Sequence, residues 1–176
     1  MSEISPAFTA AATLRSAPPI FASDWLNTPA PLALDQLQGR VVVLHAFQML
    51  CPGCVSHGLP QAMEIRRTFD PHALTVIGLH SVFEHHDVMT PAALRVFVHE
   101  YRLTLPIAVD QASADHPLPQ TMHAYAMQGT PTLVLIDALG RIRAQHFGAV
   151  ADLRVGAEIG QLLAERHRTA AAGSDT

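Results

Sequence analysis

Two cysteines, Cys51 and Cys54, carry the clearest chemical signal in this chain of 176 residues, and they are its only cysteines. They are separated by Pro52 and Gly53, a spacing that lets a dithiol form, transfer and re-form a disulfide. The same spacing also occurs in zinc sites, which here would need two His or Asp ligands from elsewhere in the chain. Because no further cysteine is present, the spacing favours thiol–disulfide chemistry over a metal site.

The two cysteines are expected to have different roles because a helix is predicted to begin at Pro52. Proline fits the first helical position, where its missing N–H does no harm. Cys51 then lies just outside the first turn, where free N–H groups and the positive end of the helix dipole stabilise a thiolate. Cys54 lies one turn further in and should be more buried. Cys51 is therefore the candidate nucleophile, and Cys54 is the candidate resolving cysteine that attacks a mixed disulfide.

A second chemical element is the sequence Gly129-Thr130-Pro131-Thr132, which precedes a strongly apolar strand. A proline at the entrance of a strand is sometimes cis, a rare state that is kept for tight functional turns. This signal is weak by itself, since a trans proline is commoner at such a position. Combined with the upstream cysteine pair, it indicates a second loop of the same active site.

The elements that must position these residues follow from hydrophobic periodicity and turn residues. A nearly continuous apolar run, Val41 to Phe47, predicts a central strand that is covered on both faces. The order of the other elements predicts parallel βα crossovers followed by an antiparallel ribbon, hence a mixed sheet flanked by helices in an α/β protein. The predicted strands are 32–34, 41–47, 74–79, 105–109, 132–136 and 141–147, and the predicted helices are 55–69, 90–101, 120–127 and one that begins at Asp152. We predict an irregular N-terminal arm over 1–19, one domain over 20–166 and a flexible tail over 167–176.

The composition excludes several classes of partner and location. The chain is 49% hydrophobic and 15% charged, with a formal net charge of −4 and no block of Lys or Arg, so nucleic acid is not an expected partner. No apolar run approaches the roughly 20 residues that span a bilayer. Since no secretory signal is visible in residues 1–19, we expect a soluble cytoplasmic protein, or a periplasmic one if a leader was removed.

Several motifs in this order resemble the thioredoxin-like proteins of the TlpA and ResA type, within the redoxin superfamily that also contains the peroxiredoxins. The matching segments between about Leu32 and Ala164 are 39–44, Cys51-Pro52-Gly53-Cys54, 76–81, 129–137 and 140–142. The resemblance implies a thioredoxin-like fold and a cis bond at Pro131, which would line the groove where substrate thiols bind. We expect Leu50, Pro52, Gly53 and Thr130 to share that substrate-binding surface.

The resemblance also suggests two residues that could move protons. Many relatives have a buried Asp or Asn six residues before the first cysteine, and His45 occupies that position here. His45 could deprotonate Cys54, because imidazole titrates near neutral pH. It could equally be a core histidine held by hydrogen bonds. ResA-like reductases have an active-site Glu after the second strand of the core, and Glu84 lies near the matching place.

The sequence departs from the family at two points near the cysteines. The aromatic residue that usually precedes the first cysteine is Leu50, which changes the expected substrate contacts. A kinking proline usually follows the second cysteine by five residues, whereas Pro60 follows Cys54 by six, with Gly58 between them. We therefore expect a local irregularity in the first helix.

Two other functions remain open besides thiol–disulfide oxidoreductase activity. The first is a thiol peroxidase, since the same loop resembles that of peroxiredoxins, with Cys54 in the place of the peroxidatic cysteine. The second is a non-enzymatic copper or zinc carrier that uses Cys51, Cys54 and a histidine such as His57. For the oxidoreductase, we expect no bound cofactor beyond a redox-active Cys51–Cys54 disulfide. Its expected partners are protein or small-molecule thiols and disulfides and a reductant, and its expected state is a monomer or homodimer.

Overall fold

A computed structural model gives the structure of residues 14–173, with side chains described up to residue 168. Its central strand, β2, is Val41–Phe47, and all seven of its residues are buried. The apolar, β-branched residues at its start suit a strand that is covered on both faces. On one side β2 pairs in parallel with β3, Leu74–His80, and on the other it pairs antiparallel with β5, Thr132–Ile136. The predicted core strand is confirmed.

The remaining elements extend this sheet and cover it. The sheet has six strands in the order β1-β4-β3-β2-β5-β6, with parallel pairing in the middle and antiparallel pairing at both edges. The other strands are β1, Ala22–Leu26, β4, Ile107–Asp110, and β6, Ile142–Phe147, and the helices are α1, Leu59–Thr68, α2, Pro91–Glu100, α3, Gln120–Ala124, and α4, Asp152–Gly173. This arrangement confirms the predicted thioredoxin-like fold with a mixed sheet flanked by helices.

Each face of the sheet has its own apolar core. Helices α1, α2 and α4 cover one face, because the two right-handed crossovers from β2 to β3 to β4 place α1 and α2 on the same side. Cys54 belongs to this core. Helix α3 and the residues before β2 cover the other face, where Tyr125 is fully buried among the alternate residues of β2 and β5.

The N-terminal part of the fold differs from the prediction. The strand predicted at residues 32–34 is wrong, since a 3-10 helix occupies Leu34–Leu37. The edge strand is instead β1, which pairs antiparallel with β4. Its sequence, Ala-Ser-Asp-Trp-Leu, is short and carries an acidic residue, so its conformation depends on hydrogen bonds to β4 rather than on local propensity.

Both ends of the predicted domain are extended by ordered backbone. In the predicted irregular arm, the carbonyl of Arg15 accepts a hydrogen bond from the Ile142 N–H, and the Ala17 N–H donates to Gly140. The hydroxyl of Tyr125 donates to the carbonyl of Pro18 over 2.7 Å. Helix α4 continues to Gly173, beyond the predicted domain end at residue 166. Residues 1–13 and 174–176 lie outside the described part of the chain.

Within residues 14–173, no helix is both long enough and apolar enough to cross a membrane.

Candidate active site

The cysteine pair lies where β2 ends and the first helix begins, and it forms a disulfide with a Cα–Cα distance of 5.2 Å. Pro52 is the first helical residue, as predicted. Cys54 is fully buried, whereas Cys51 is partly exposed, which confirms the expected difference in burial. The backbone N–H of Cys54 donates to Cys51 Sγ over 3.2 Å. A thiolate at Cys51 would therefore meet a backbone donor and the positive end of the helix dipole.

The loop before β5 packs against this helix start. The bond between Thr130 and Pro131 is cis, as the family resemblance implied. The carbonyl oxygen of Thr130 lies 3.5 Å from Cys51 Sγ. A side chain at Gly53 would meet Pro131 Cδ at 3.4 Å, so the proline ring covers the first turn of the helix. The Gly148 N–H donates to the carbonyl of Pro131 over 2.8 Å and holds the loop against the end of β6.

The helix after the disulfide begins with a wide turn, which confirms the predicted irregularity. Residues Cys54–Gly58 form a π-helix, in which the N–H of Leu59 donates to the carbonyl of Cys54. Only then does α1 continue as a regular helix, with Pro60 in its first turn. Such π-turns are rare and occur mostly at functional sites.

His45 lies beneath this turn in a buried position. Its ring packs against Gly58, and neither of its nitrogens has a hydrogen-bond partner among the described residues. Burial, together with a smaller effect of the neighbouring His57, lowers the pKa of His45 to about 4. The ring is therefore neutral at neutral pH, and one nitrogen carries a free lone pair. This position differs from that of a core histidine held by hydrogen bonds, which was the alternative interpretation of the sequence.

A second buried histidine, His80, was not identified from the sequence as a site residue. It lies at the end of β3, beside Phe47 of β2, with ring centroids 5.3 Å apart. Burial lowers the pKa of His80 to about 4, and its two ring nitrogens also have no partner among the described residues. The segment Val76-Ile77-Gly78-Leu79-His80-Ser81 gave a signal for a buried strand, but not for an unpaired imidazole at its end.

Hydrogen bonds attach the active-site helix to the loop before α4 and to the first residue of α4. His57 Nε2 donates to the carbonyl of Val150 over 3.0 Å, and Gln61 Nε2 donates to the same oxygen over 2.9 Å. Gln61 also donates to Asp152 Oδ1, at the start of α4, over 2.7 Å. These hydrogen bonds hold the loop between β6 and α4 against the helix that carries the cysteines.

The other predicted site residues lie on the surface. Leu50 is 58% exposed immediately before Cys51, and Pro52 is exposed beside it. Glu84 lies in the exposed loop after β3, and no hydrogen bond or ion pair of the described residues joins it to the disulfide. The structure thus brings Leu50, Pro52, Gly53 and Thr130 together around Cys51, and it leaves Glu84 outside this group.

Phe147 is a surface residue of the site that sequence reasoning missed. It is 56% exposed and stands opposite Thr132 in the β5–β6 pairing. Its ring packs over Gly129, where a side chain would lie 2.9 Å from Phe147 Cε2. The alternation along β6, in which Ala144 and His146 are buried and Phe147 is exposed, was the available signal. The ring therefore borders the loop that contacts Cys51.

The segments that form this surface carry no fixed charge. The chain has 26 charged residues by its counts of 11 Lys and Arg and 15 Asp and Glu, yet none occurs in residues 41–63, 116–136 or 144–151. A substrate that docks here meets apolar side chains and backbone groups. We expect electrostatic steering to contribute little to such an encounter.

Metal ligation gains no support from the arrangement of donors. The part of the chain that the structure describes contains no group of three or more His, Cys, Asp or Glu side chains that could hold a metal ion. His57 is directed to the carbonyl of Val150, and His85 and His86 lie in an exposed loop.

Comparison with solved structures identifies the family. A crystal structure of a thioredoxin-like superfamily protein has a TM-score of 0.83 and 50% sequence identity, and the match covers 86% of this chain and 97% of that chain. The chain belongs to the thioredoxin-like superfamily. A thiol-disulfide isomerase from Corynebacterium glutamicum is 49% identical to this thioredoxin-like protein, with a TM-score of 0.79 over 84% of this chain and 96% of that one. One neighbour is named as a thioredoxin-like superfamily protein and the other as a thiol-disulfide isomerase, which confirms the thioredoxin-like resemblance seen in the sequence.

More distant comparisons agree with the fold. A thiol:disulfide interchange protein of the thioredoxin family from Chlorobium tepidum shares it, with a TM-score of 0.63 and 17% identity over 88% of this chain and 99% of that one. No family model matches the chain. NHL repeat-containing protein 2 of Gallus gallus is 33% identical over 121 residues, which are 67% of this thioredoxin-like chain. The chain spans about 15% of the length of that curated relative.

The lowered pKa values of His45 and His80 predict that the fold loses stability in mild acid. The folded-state pKa of each is about 4, against 6.5 for an ordinary histidine, so the unfolded chain binds more protons between these values. The free energy of unfolding therefore falls as the pH drops through this window. Each histidine contributes up to about 3 kcal/mol to the fall, since one pKa unit corresponds to about 1.4 kcal/mol.

Urea unfolding of the wild type and of His80→Leu from about pH 8 to about pH 4.5 measures this contribution. The variant lacks one buried imidazole, so its free energy of unfolding should decline less steeply below pH 6.5. Above pH 7 both histidines are neutral in both states, and the difference between the proteins should be constant, which serves as an internal control. Parallel curves for the two proteins below pH 6.5 would contradict the assignment.

Proposed function

We propose that this protein is a thiol–disulfide oxidoreductase that exchanges disulfides through Cys51. The observation that carries the proposal is a partly exposed sulfur, Cys51 Sγ, which is joined to a buried partner and lies 3.5 Å from the Thr130 carbonyl beside the cis proline. The sulfur of Cys51 is accessible to a substrate, and the sulfur of Cys54 is buried next to it. This is the arrangement that disulfide exchange requires.

In the reducing direction the reaction begins with the dithiol form. The Cys51 thiolate attacks one sulfur of the substrate disulfide, forms a new S–S bond, and releases the other substrate sulfur as a thiolate. The Cys54 N–H and the helix dipole stabilise the Cys51 thiolate before attack. Cys54 then attacks Cys51 Sγ, which forms the Cys51–Cys54 disulfide and releases the second substrate thiolate. Two electrons pass from the dithiol to the substrate, and a dithiol reductant restores the starting state.

Cys54 must lose its proton before it can attack, and we propose that His45 is the base that accepts this proton. Cys54 is fully buried and separated from solvent, whereas His45 is neutral and packs against the same π-turn. The resulting imidazolium and thiolate stabilise each other within a site that contains no other fixed charge. Glu84 stays a prediction for a second proton-transfer group, and the cytoplasmic location expected from the sequence also stays a prediction.

The substrate surface is formed by the residues around Cys51. Leu50 and Phe147 supply exposed apolar area, and Pro52, Gly53 and Thr130 supply the backbone beside the sulfur. A polypeptide disulfide with an apolar residue next to its cysteine suits this surface, because burial of the apolar groups on both sides favours the complex. A small disulfide can reach Cys51 without contacting Phe147.

Single-cysteine variants test the proposed function. Cys54→Ser should trap a mixed disulfide between Cys51 and an oxidised peptide, because the second attack cannot occur, and mass spectrometry of the adduct checks this. Cys51→Ser should lose disulfide reductase activity by at least about a hundredfold, since it lacks the attacking sulfur.

The same proteins should be assayed with hydrogen peroxide, because a thiol peroxidase is the alternative function. Peroxide turnover that survives in Cys51→Ser and disappears in Cys54→Ser would show that Cys54 is the reactive cysteine. One equivalent of bound zinc or copper in the purified protein, together with absent exchange activity, would favour the carrier.

Phe147 should matter for polypeptide substrates alone. Replacement by Ser should lower kcat/KM by about fivefold to tenfold for a disulfide peptide with a Leu beside its cysteine, since about half of a Phe side chain is no longer buried in the complex. Activity on a small cyclic disulfide should not change. Leu139→Ser is a matched control, because Leu139 is 54% exposed at the opposite end of the β5–β6 hairpin. Equal effects of the two substitutions on the peptide would contradict a role for Phe147.

A further inference from the structure

The ring of His45 occupies the space that a side chain at position 58 would need. A Cβ atom on Gly58 would lie 2.5 Å from His45 Cε1 and 2.6 Å from His45 Nε2, distances that real Cβ atoms do not adopt. The same atom would lie 3.2 Å from Pro131 Cβ. Gly58 is thus the point at which the active-site helix, the buried imidazole and the cis-proline loop meet.

The backbone conformation gives no reason for a glycine at this position. Gly58 has φ −61° and ψ −50°, which is the ordinary right-handed helical region that every L-residue adopts. Alanine is more favourable than glycine in a helix, because glycine loses more conformational freedom on folding. The space taken by His45 therefore explains the glycine, and local helix propensity does not.

The neighbours of His45 restrict how its ring can respond to a larger residue. In the two adjacent strands His45 is paired with Gly78 and Leu133, and its ring stacks on Phe47 with an interplanar angle of 2°. A methyl group at position 58 would force the ring to turn away from the π-turn, or the helix to move outward from the sheet. Either movement changes the distance between the imidazole and the residue at which the turn begins, Cys54.

We propose that Gly58 is a positioning residue for His45, whose missing side chain keeps the imidazole against the π-turn so that it can take the proton of Cys54. This inference rests on the proposed thiol–disulfide exchange. The π-turn and the glycine then share one structural role: together they leave space for a histidine beneath the helix that carries both cysteines.

A double-mutant cycle on the full chain tests the proposal with four proteins: the wild type, Gly58→Ala, His45→Ala and the double variant. The midpoint of urea unfolding and the rate at which Cys54 resolves a preformed Cys51 mixed disulfide are measured for each. Gly156→Ala is the matched control, since Gly156 lies in α4 with no atom within 4 Å of an added Cβ. It should raise the midpoint through helix propensity alone.

The expected result is a change of sign. Gly58→Ala should lower the unfolding midpoint when His45 is present and raise it when His45 is Ala, because the ring is then absent. Resolution should slow by about tenfold to a hundredfold in Gly58→Ala and in His45→Ala, and the double variant should be no slower than His45→Ala. If Gly58→Ala alone does not fold, recovery of the fold in the double variant supports the steric coupling.

Three results would overturn the proposal. The first is a Gly58→Ala effect on the midpoint with the same sign in both backgrounds. The second is an unchanged resolution rate in a folded Gly58→Ala protein, which would leave Gly58 with a structural role only. The third is a wild-type resolution rate in His45→Ala. That result would show that His45 is not the proton acceptor, and it would leave the proposed exchange through Cys51 intact. Absence of any disulfide exchange in the wild type would instead refute the proposed function itself.

Discussion

The antiparallel pairing of β2 with β5 is the constraint on which the candidate active site depends. Ala46, near the end of β2, pairs with Thr132, at the start of β5. Because the strands run in opposite directions, the residues that follow β2 and those that precede β5 must lie at the same edge of the sheet. The cysteines follow β2, and Thr130 and Pro131 precede β5. Two segments 79 residues apart in sequence are thereby brought into contact, since the carbonyl oxygen of Thr130 lies 3.5 Å from Cys51 Sγ.

The electrostatic character of the site follows from what surrounds that edge. Its three segments contain no Asp, Glu, Lys or Arg, so the positive end of the active-site helix and the backbone N–H of Cys54 are the main groups that stabilise a negative sulfur. In the proposed mechanism, the buried imidazole of His45 acts as the base in place of a fixed carboxylate. Because it is neutral at rest, it would accept a proton from Cys54 and return it without keeping a permanent charge in the apolar core between turnovers.

The sequence was informative where local rules decide the structure. The apolar run of β2, the helix start at Pro52 and the greater burial of Cys54 follow from strand periodicity and helix geometry. The family resemblance supplied the expectation of a cis bond at Pro131 and the hypothesis that His45 transfers a proton. The irregular first helix was expected from the shifted Pro60, although its form as a π-turn ending at Gly58 was not.

Other features could not be predicted, because they depend on contacts between distant segments. Strand β1 has a short polar sequence and exists through its pairing with β4, so the nearby Leu32–Leu34 gave the stronger but misleading signal. Two other features are visible only in the folded chain: His80 has no hydrogen-bond partner among the described residues, and Phe147 is exposed beside Gly129. Gly58 has ordinary helical backbone angles, and the reason for a glycine there is the contact that an added Cβ would make with the ring of His45.

Competitive alkylation of the reduced protein tests most directly whether Cys51 is the reactive thiol. The protein is treated with a limiting amount of iodoacetamide over a range of pH values, and the modified cysteine is identified by peptide mass spectrometry. Cys51 should be modified first, and its reactivity should rise at a pH below about 8.5, the pKa of a free cysteine, while Cys54 stays protected. Preferential modification of Cys54 at neutral pH would contradict this role of Cys51.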